Sequence, residues 1–265
     1  ASGRLSSALA RLLSNCSSVV APMILAVTKG RLVTQARAIW AGSSPCSCAR
    51  ATYAAVACSG GSIQVLWRGE GPVAAVMDLG LELGDLALAT GDLDGDGDLD
   101  VVAGLEDQTN RLYLNRGDWH FEDITESAGV GGTGSWSTGA TIADVNADGW
   151  MDIYVCNSGH STENRKENEL FINNGDLTFT EAAGEWGLKS KANSMQASFF
   201  DYDQDGDLDC FLLNNNLVVP NPREFYKRSR NDIDSDGGDK LYRNDGDHFT
   251  DVTLDAGIYT SNVGF

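Results

Sequence analysis

The first 69 residues contain no aspartate or glutamate, although seven arginines and lysines lie among them. All 38 acidic residues fall in 70–265 with the other 12 basic ones, so that part carries a net charge of −26. Such a charge repels phosphate backbones and anionic lipid, which argues against nucleic acid as a partner. Histidine is scarce, at three residues, and no apolar run is long enough to span a bilayer. The six cysteines build no disulfide framework. Cys16, Cys46, Cys48 and Cys58 sit in the acid-free segment, while Cys156 and Cys210 fall in strand-like runs at different repeat positions. Packed thiols are therefore expected at Cys156 and Cys210 in preference to a bridge. There is no initiating Met. Val19 to Val27 is an apolar run of signal-peptide size behind Arg4 and Arg11, without a convincing cleavage site.

What the chain does hold is one pattern, D-x-D-x-D-G-x-x-D, three times over. The first copy runs from Asp92 through Asp94, Asp96, Gly97 and Asp98 to Asp100. The second is Asp144, Asn146, Asp148, Gly149, Trp150 and Asp152, and the third Asp201, Asp203, Asp205, Gly206, Asp207 and Asp209. A hard cation accounts for this spacing. Side chains at positions 1, 3 and 5 supply oxygens, glycine at 6 permits a sharp reversal, and the carbonyl at 7 and carboxylate at 9 complete the shell. An acidic, solvated turn would account for one copy, but three matched copies favour calcium. Position 12 is Ala103, Val155 and Leu212, so the bidentate glutamate of an EF-hand is missing. Dockerin-type and thrombospondin-type loops are disfavoured by the same gap. The residues that follow (Val101–Ala103, Ile153–Val155, Phe211–Leu213) read as strands, which puts each loop inside a β-hairpin.

A second repeated phrase lies downstream of each loop. Arg111 to Phe121, Glu169 to Phe179 and Lys240 to Phe249 each carry an Asn–x–Gly–Asp turn, and they end their units at Val130, Leu188 and Ile258. One unit thus reads strand, ion loop, strand, connector, strand, turn, strand. Four short antiparallel strands recurring at about 50–60 residues predict a β-propeller blade. The connectors vary, with the longest at Gly159–Asn168 and Leu217–Gly238. The latter holds Asp232 to Gly237, which begins like a fourth loop but has Lys240 at position nine; a solvated loop is favoured there over an ion site. Upstream, Tyr53–Ala57 and Ile63–Gly69 resemble the last strands of a preceding blade. Residues 1–61 stand as an unassigned basic segment: a degenerate blade, a targeting segment or an artefact. The chain is expected to stop where another blade would open.

Residues 62–265 resemble the FG-GAP/VCBS repeat proteins, relatives of the integrin α-subunit propeller and the cartilage acidic protein group. The phrases GDLDGDGDLDVV, FFDYDQDGDLDCFLLNNN and KLYRNDGDHFTDVTLDAGI carry the resemblance, and the last is typical of the cartilage acidic group. The resemblance implies an all-β, partial β-propeller of four-stranded antiparallel blades with calcium-binding hairpin loops, in a secreted or cell-surface protein. It also implies about three calcium sites. Their ligands are Asp92, Asp94, Asp96, Asp98 (carbonyl) and Asp100; Asp144, Asn146, Asp148, Trp150 (carbonyl) and Asp152; and Asp201, Asp203, Asp205, Asp207 (carbonyl) and Asp209.

The expected function is a non-catalytic module for recognition or adhesion, binding extracellular protein or glycan. The alternative is a propeller-type enzyme acting on polysaccharide or phosphodiester. An enzyme needs a convergent acid/base or nucleophilic group. His120 and His248 both precede the repeat phenylalanine and read as structural equivalents. His160 stands alone in a connector, and Ser135, Ser137 and Ser158 lie in no nucleophile elbow. Trp119, Trp136, Trp150 and Trp186 could line a glycan site or simply pack. Trp136 is the one to watch, because a glycine-rich entry precedes it.

Overall fold

The computed structural model describes residues 26–28, 31–33, 53–59, 62–68, 74–82, 86–106, 108–117, 120–134, 136–159, 167–215 and 238–258, those before Ala87 as backbone. The chain divides into two compact units, residues 1–84 and 85–265. In the first, β1 (Ala26–Thr28) pairs with β2 (Arg31–Val33), and β3 (Tyr53–Ser59), β4 (Ser62–Arg68) and β5 (Ala74–Glu82) form a three-stranded antiparallel sheet. The two segments expected there as strands are β3 and β4, paired with each other. The expected boundary between residues 61 and 62 falls at the first residue of β4, between two strands that pair.

The second unit is three antiparallel sheets of four strands, each in chain order. The first has β6 (Leu86–Gly91), β7 (Asp100–Leu105), β8 (Arg111–Asn115) and β9 (Phe121–Asp123). The second has β10 (Trp136–Ala143), β11 (Asp152–Ser158), β12 (Glu169–Asn173) and β13 (Phe179–Glu181). The third has β14 (Ser194–Phe200), β15 (Asp209–Asn214), β16 (Lys240–Asn244) and β17 (Phe249–Asp251). Each predicted loop joins strands one and two of its sheet, and each Asn/Gly turn joins strands three and four. One helical turn that the repeat pattern did not foretell, α1 (Thr125–Ala128), follows the last strand of the first of these sheets. Among the described residues no helix is long and apolar enough to cross a membrane.

The sheets stack through second strands that, in the first two, are buried on both faces. Every residue of β7 and β11 is buried. Alternate side chains of a strand point to opposite faces, so one strand serves two cores. Ile153 and Val155 pack backward on Leu93, Val102, Leu112 and Leu114 of the first sheet. Tyr154 and Cys156 pack forward on Ala197, Cys210 and Leu212 of the third. Fully burying one such side chain contributes about 1.5–3 kcal/mol. Cys156 and Cys210 are buried free thiols, as expected, and burial pushes both well above the usual thiol range.

The stacking is close enough to demand glycine. At Gly139, beside a bulge in β10, a Cβ would collide with the Met195 carbonyl of β14. The third sheet also reveals what a following sheet does. Tyr202 stands where Leu93 and Val145 stand in the other repeats, yet it is 39% exposed against their 1% and 2%.

Candidate metal centres

Each D-x-D-x-D-G loop is folded by its own carboxylates. Asp92 Oδ1 and Oδ2 accept the N–H groups of Gly95 (2.7 Å) and Gly97 (3.0 Å). Asp144 does the same for Asp148 (3.1 Å) and Gly149 (3.0 Å), and Asp201 Oδ1 accepts from Gln204 (2.6 Å). The sixth-position glycines Gly97, Gly149 and Gly206 have φ of 89°, 94° and 102°, the reversal that the pattern predicts. The fourth position is left-handed too. Gly95 sits at φ 76°, but Ala147 and Gln204 take 56° and 67° with a Cβ in place, which costs roughly 1–2 kcal/mol each.

Bending the loops this way concentrates charge. Asp92, Asp94 and Asp96 each bring an oxygen within 4.8 Å of the others, and so do Asp201, Asp203 and Asp209. In the second loop Asn146 replaces the third-position carboxylate, and its Nδ2 donates to Asp148 Oδ2 (2.9 Å). Like charges so placed raise one another's pKa. Desolvation and then Asp205 push Asp207 up to about 6, and Asp94 and Asp203 are raised by partial desolvation and their acidic neighbours. Asp207 Oδ1 is buried without a hydrogen-bond partner in the midst of this group. An orphaned carboxylate oxygen among four other aspartates fits a hard divalent cation: all donors are oxygen and the charge calls for neutralisation.

The ninth-position aspartates hold the frame. Asp100 is 1% exposed; its Oδ2 accepts from the Leu93 N–H (2.8 Å) and its Oδ1 from the Asn115 N–H (2.8 Å). Asp152 accepts from Val145 and Asn173 (both 2.9 Å), and Asp209 from Tyr202 (2.6 Å) and Asn244 (2.9 Å). Each clamps the start of its loop to the turn of its own sheet. Desolvation raises Asp100 to about 7 and Asp152 to about 6, with these N–H donors pulling against it.

The turn asparagines Asn115, Asn173 and Asn244 are what sequence reasoning missed. Each is 2% exposed. Their Oδ1 atoms accept from Gly117, Gly175 and Gly246, and their Nδ2 groups donate to the eighth-position carbonyls Leu99, Met151 and Leu208. Their recurrence at one repeat position was the available signal, and it was read only as turn chemistry.

Other singled-out residues lie elsewhere. Trp150 leaves its side chain over Gly95 of the first loop and Gly175 of the turn. Trp136 packs over Gly159 at the opposite end of its sheet, where its indole Nε1 is buried without a partner. Ser137 sits in a buried amide network there: its Oγ lies 3.1 Å from both Asn110 Oδ1 and Asn157 Oδ1. Ser158 Oγ reaches Asn193 Oδ1 (3.4 Å), and His120 and His248 are exposed on their turns. Trp119, Ser135, His160 and the segment 232–237 lie outside the described residues.

The loops and turns also have counterparts in other proteins. The pattern of the FG-GAP-like repeat matches residues 92–155 and 157–212. The chain carries FG-GAP-like repeats. The first stretch opens at the first ion loop and ends in β11, and the second opens in β11 and ends in β15, so each spans parts of two successive sheets. Over 162 residues the chain is also 28% identical to cartilage acidic protein 1 of Xenopus tropicalis. That match covers 60% of this chain and 24% of the relative, so the chain spans about a quarter of that protein's length.

Proposed function

We propose that residues 85–265 form part of a calcium-stabilised, extracellular β-propeller-type module that recognises protein or glycan without catalysis. The carrying observation is the buried, partnerless Asp207 Oδ1 inside the third loop, an oxygen that a bound cation would satisfy. Asp92, Asp94, Asp96 and Asp100 would hold the first ion, and Asp201, Asp203, Asp205, Asp207 and Asp209 the third. Asp144, Asn146, Asp148 and Asp152 offer the second loop three carboxylates, against four in the first set and five in the third.

The ions serve the frame in this reading. Extracellular calcium modules bind at ~10⁻⁴ M or weaker. With free calcium about tenfold higher, each site stabilises the fold by roughly 1.4 kcal/mol. Three chain-order sheets stacked face against face support the propeller reading, and the relative's name, which speaks of cartilage, supports the extracellular one. Ser137 and Ser158 are engaged with asparagine amides, which supports binding over nucleophilic catalysis.

Calorimetric calcium titration of the full chain tests this, paired with thermal melts in calcium and in chelator. About three sites and a melting point raised by calcium are expected. No heat and no shift would overturn the calcium reading. Terbium supplies an independent check, since Trp150 lies over Gly95 and would sensitise its emission.

A further inference from the structure

The turn asparagines do more than close their own sheets. Asn173 Nδ2, in the second sheet, also donates to the carbonyl of Leu93 (2.9 Å), the second residue of the first ion loop. Asn244 Nδ2, in the third sheet, donates likewise to the carbonyl of Val145 (2.9 Å) in the second loop. These bonds cross 80 and 99 residues of sequence. Leu93 and Val145 are thereby held three ways. Their N–H groups are on the closing aspartate, their carbonyls on the next sheet's asparagine, and their side chains in the core between sheets. The path is continuous. Loop one reaches Asn173 through Leu93, and Asn173 reaches loop two by donating its N–H to Asp152. Loop two reaches Asn244 through Val145, and Asn244 reaches loop three by donating its N–H to Asp209.

We infer that Asn173 and Asn244 are positioning residues that couple each ion loop to the next, so that calcium fills successive loops cooperatively. The inference rests on the calcium reading above. Coupling requires that each ion bind one arrangement of a shared element better than another. The shared element is the second residue of the loop. A bound ion, by drawing the repelling carboxylates together, would stiffen the hold on that residue's carbonyl. A fixed carbonyl orients the asparagine, whose N–H orients the closing aspartate of the next loop. Ordering contributed by the first ion is then no longer required of the second. A single such hydrogen bond corresponds to about 3- to 10-fold in affinity.

The experiment is a double-mutant cycle read by calcium calorimetry on the full chain. One arm destroys the third loop with Asp203→Ala and Asp205→Ala, both exposed. The other arm is Asn244→Asp, which keeps the backbone N–H on Asp209 and the acceptor for Gly246 but removes the donor to Val145. In the parent background, destroying loop three is expected to weaken the remaining sites by about 3- to 10-fold. In the Asn244→Asp background it should leave them unchanged, a result that a merely structural asparagine would not produce. Equal weakening in both backgrounds, or none in either, overturns the coupling while leaving the calcium sites standing. No calcium heat in the parent overturns the calcium reading itself. Amide exchange needs no asparagine change. In saturating calcium, the amides of 145–150 should exchange faster when loop three is destroyed, and unchanged exchange overturns the coupling.

Discussion

The two ends of the sheets solve one problem by different means. At both, side-chain amides tie each sheet to the next. At the loop end the tie runs through Asn173 and Asn244 into loops crowded with carboxylate. At the opposite end it runs through neutral groups. Asn168 accepts from the Asn157 N–H (2.8 Å) and donates to Tyr154 OH and Ser194 Oγ (both 2.9 Å). Ser194 Oγ donates in turn to Asn214 Oδ1 (2.9 Å). Two buried carboxylates also stand here: Asp239 accepts from the Asn214 N–H (3.0 Å), and Glu169 accepts from the Thr133 N–H (2.7 Å) and lies 3.4 Å from Asn110 Nδ2. Burial raises Glu169, against those donors. Groups that complete one another need no ion, whereas like charges do. Cation dependence should therefore be confined to the loop end.

Breaking the neutral end has the largest expected effect. Asn168→Leu strands the buried Asn157 N–H, at about 1–3 kcal/mol, and removes the donor to Tyr154 OH and Ser194 Oγ, which keep their own bonds to the Leu188 carbonyl and Asn214 Oδ1. A loss of roughly 2–4 kcal/mol is expected. Urea unfolding should give the same loss in calcium and in chelator, and a calcium-dependent loss would erase the contrast between the ends.

Protons probe the loop end next. Asp100 and Asp152 are raised to about 7 and about 6, so the folded chain binds more protons than the unfolded one between about pH 4 and pH 7. Stability in chelator should fall as pH rises through that window, and taking the protein from pH 7.5 to 5 should add on the order of 2 kcal/mol, solvent screening included. Calcium competes with those protons, so its stabilising increment should shrink over the same change. Melting in chelator and in calcium at both pH values measures the two slopes, which are expected to oppose one another.

Asp205→Ala sharpens the contrast within one loop. It should remove about 1.4 kcal/mol in calcium. In chelator it should be neutral or slightly stabilising, because Asp205 pushes Asp207 upward. Equal losses in both media would mean that Asp205 is held for packing alone. The smallest effect belongs to Ala147→Gly. Releasing a Cβ at φ 56° should add about 0.5–1 kcal/mol in either medium, seen as a higher urea midpoint.

Much of this was legible because the relevant rules are local. A loop of alternating carboxylates around a glycine announces its own reversal, and Gly97, Gly149 and Gly206 take it. Apolar runs bounded by turn residues announce strands, and β7, β11 and β15 lie where they were expected. The left-handed fourth position was not legible, since Ala147 and Gln204 carry no mark of it. Nor was the shared work of the asparagines, because a turn asparagine looks alike whether or not its amide reaches another sheet.

The amino-acid order by itself determined the unit: four strands, one acidic hairpin loop, one Asn/Gly turn, repeated. It also determined where charge would gather. Only the tertiary structure decided which groups share a surface. Stacking set Ile153 backward and Tyr154 forward, brought Asn173 to Leu93 across 80 residues, and left Tyr202 exposed where Leu93 and Val145 are covered. The physical reason is range. Turn and strand preferences act over a few residues, whereas burial and hydrogen-bond completion belong to sheets that meet only after the chain has folded.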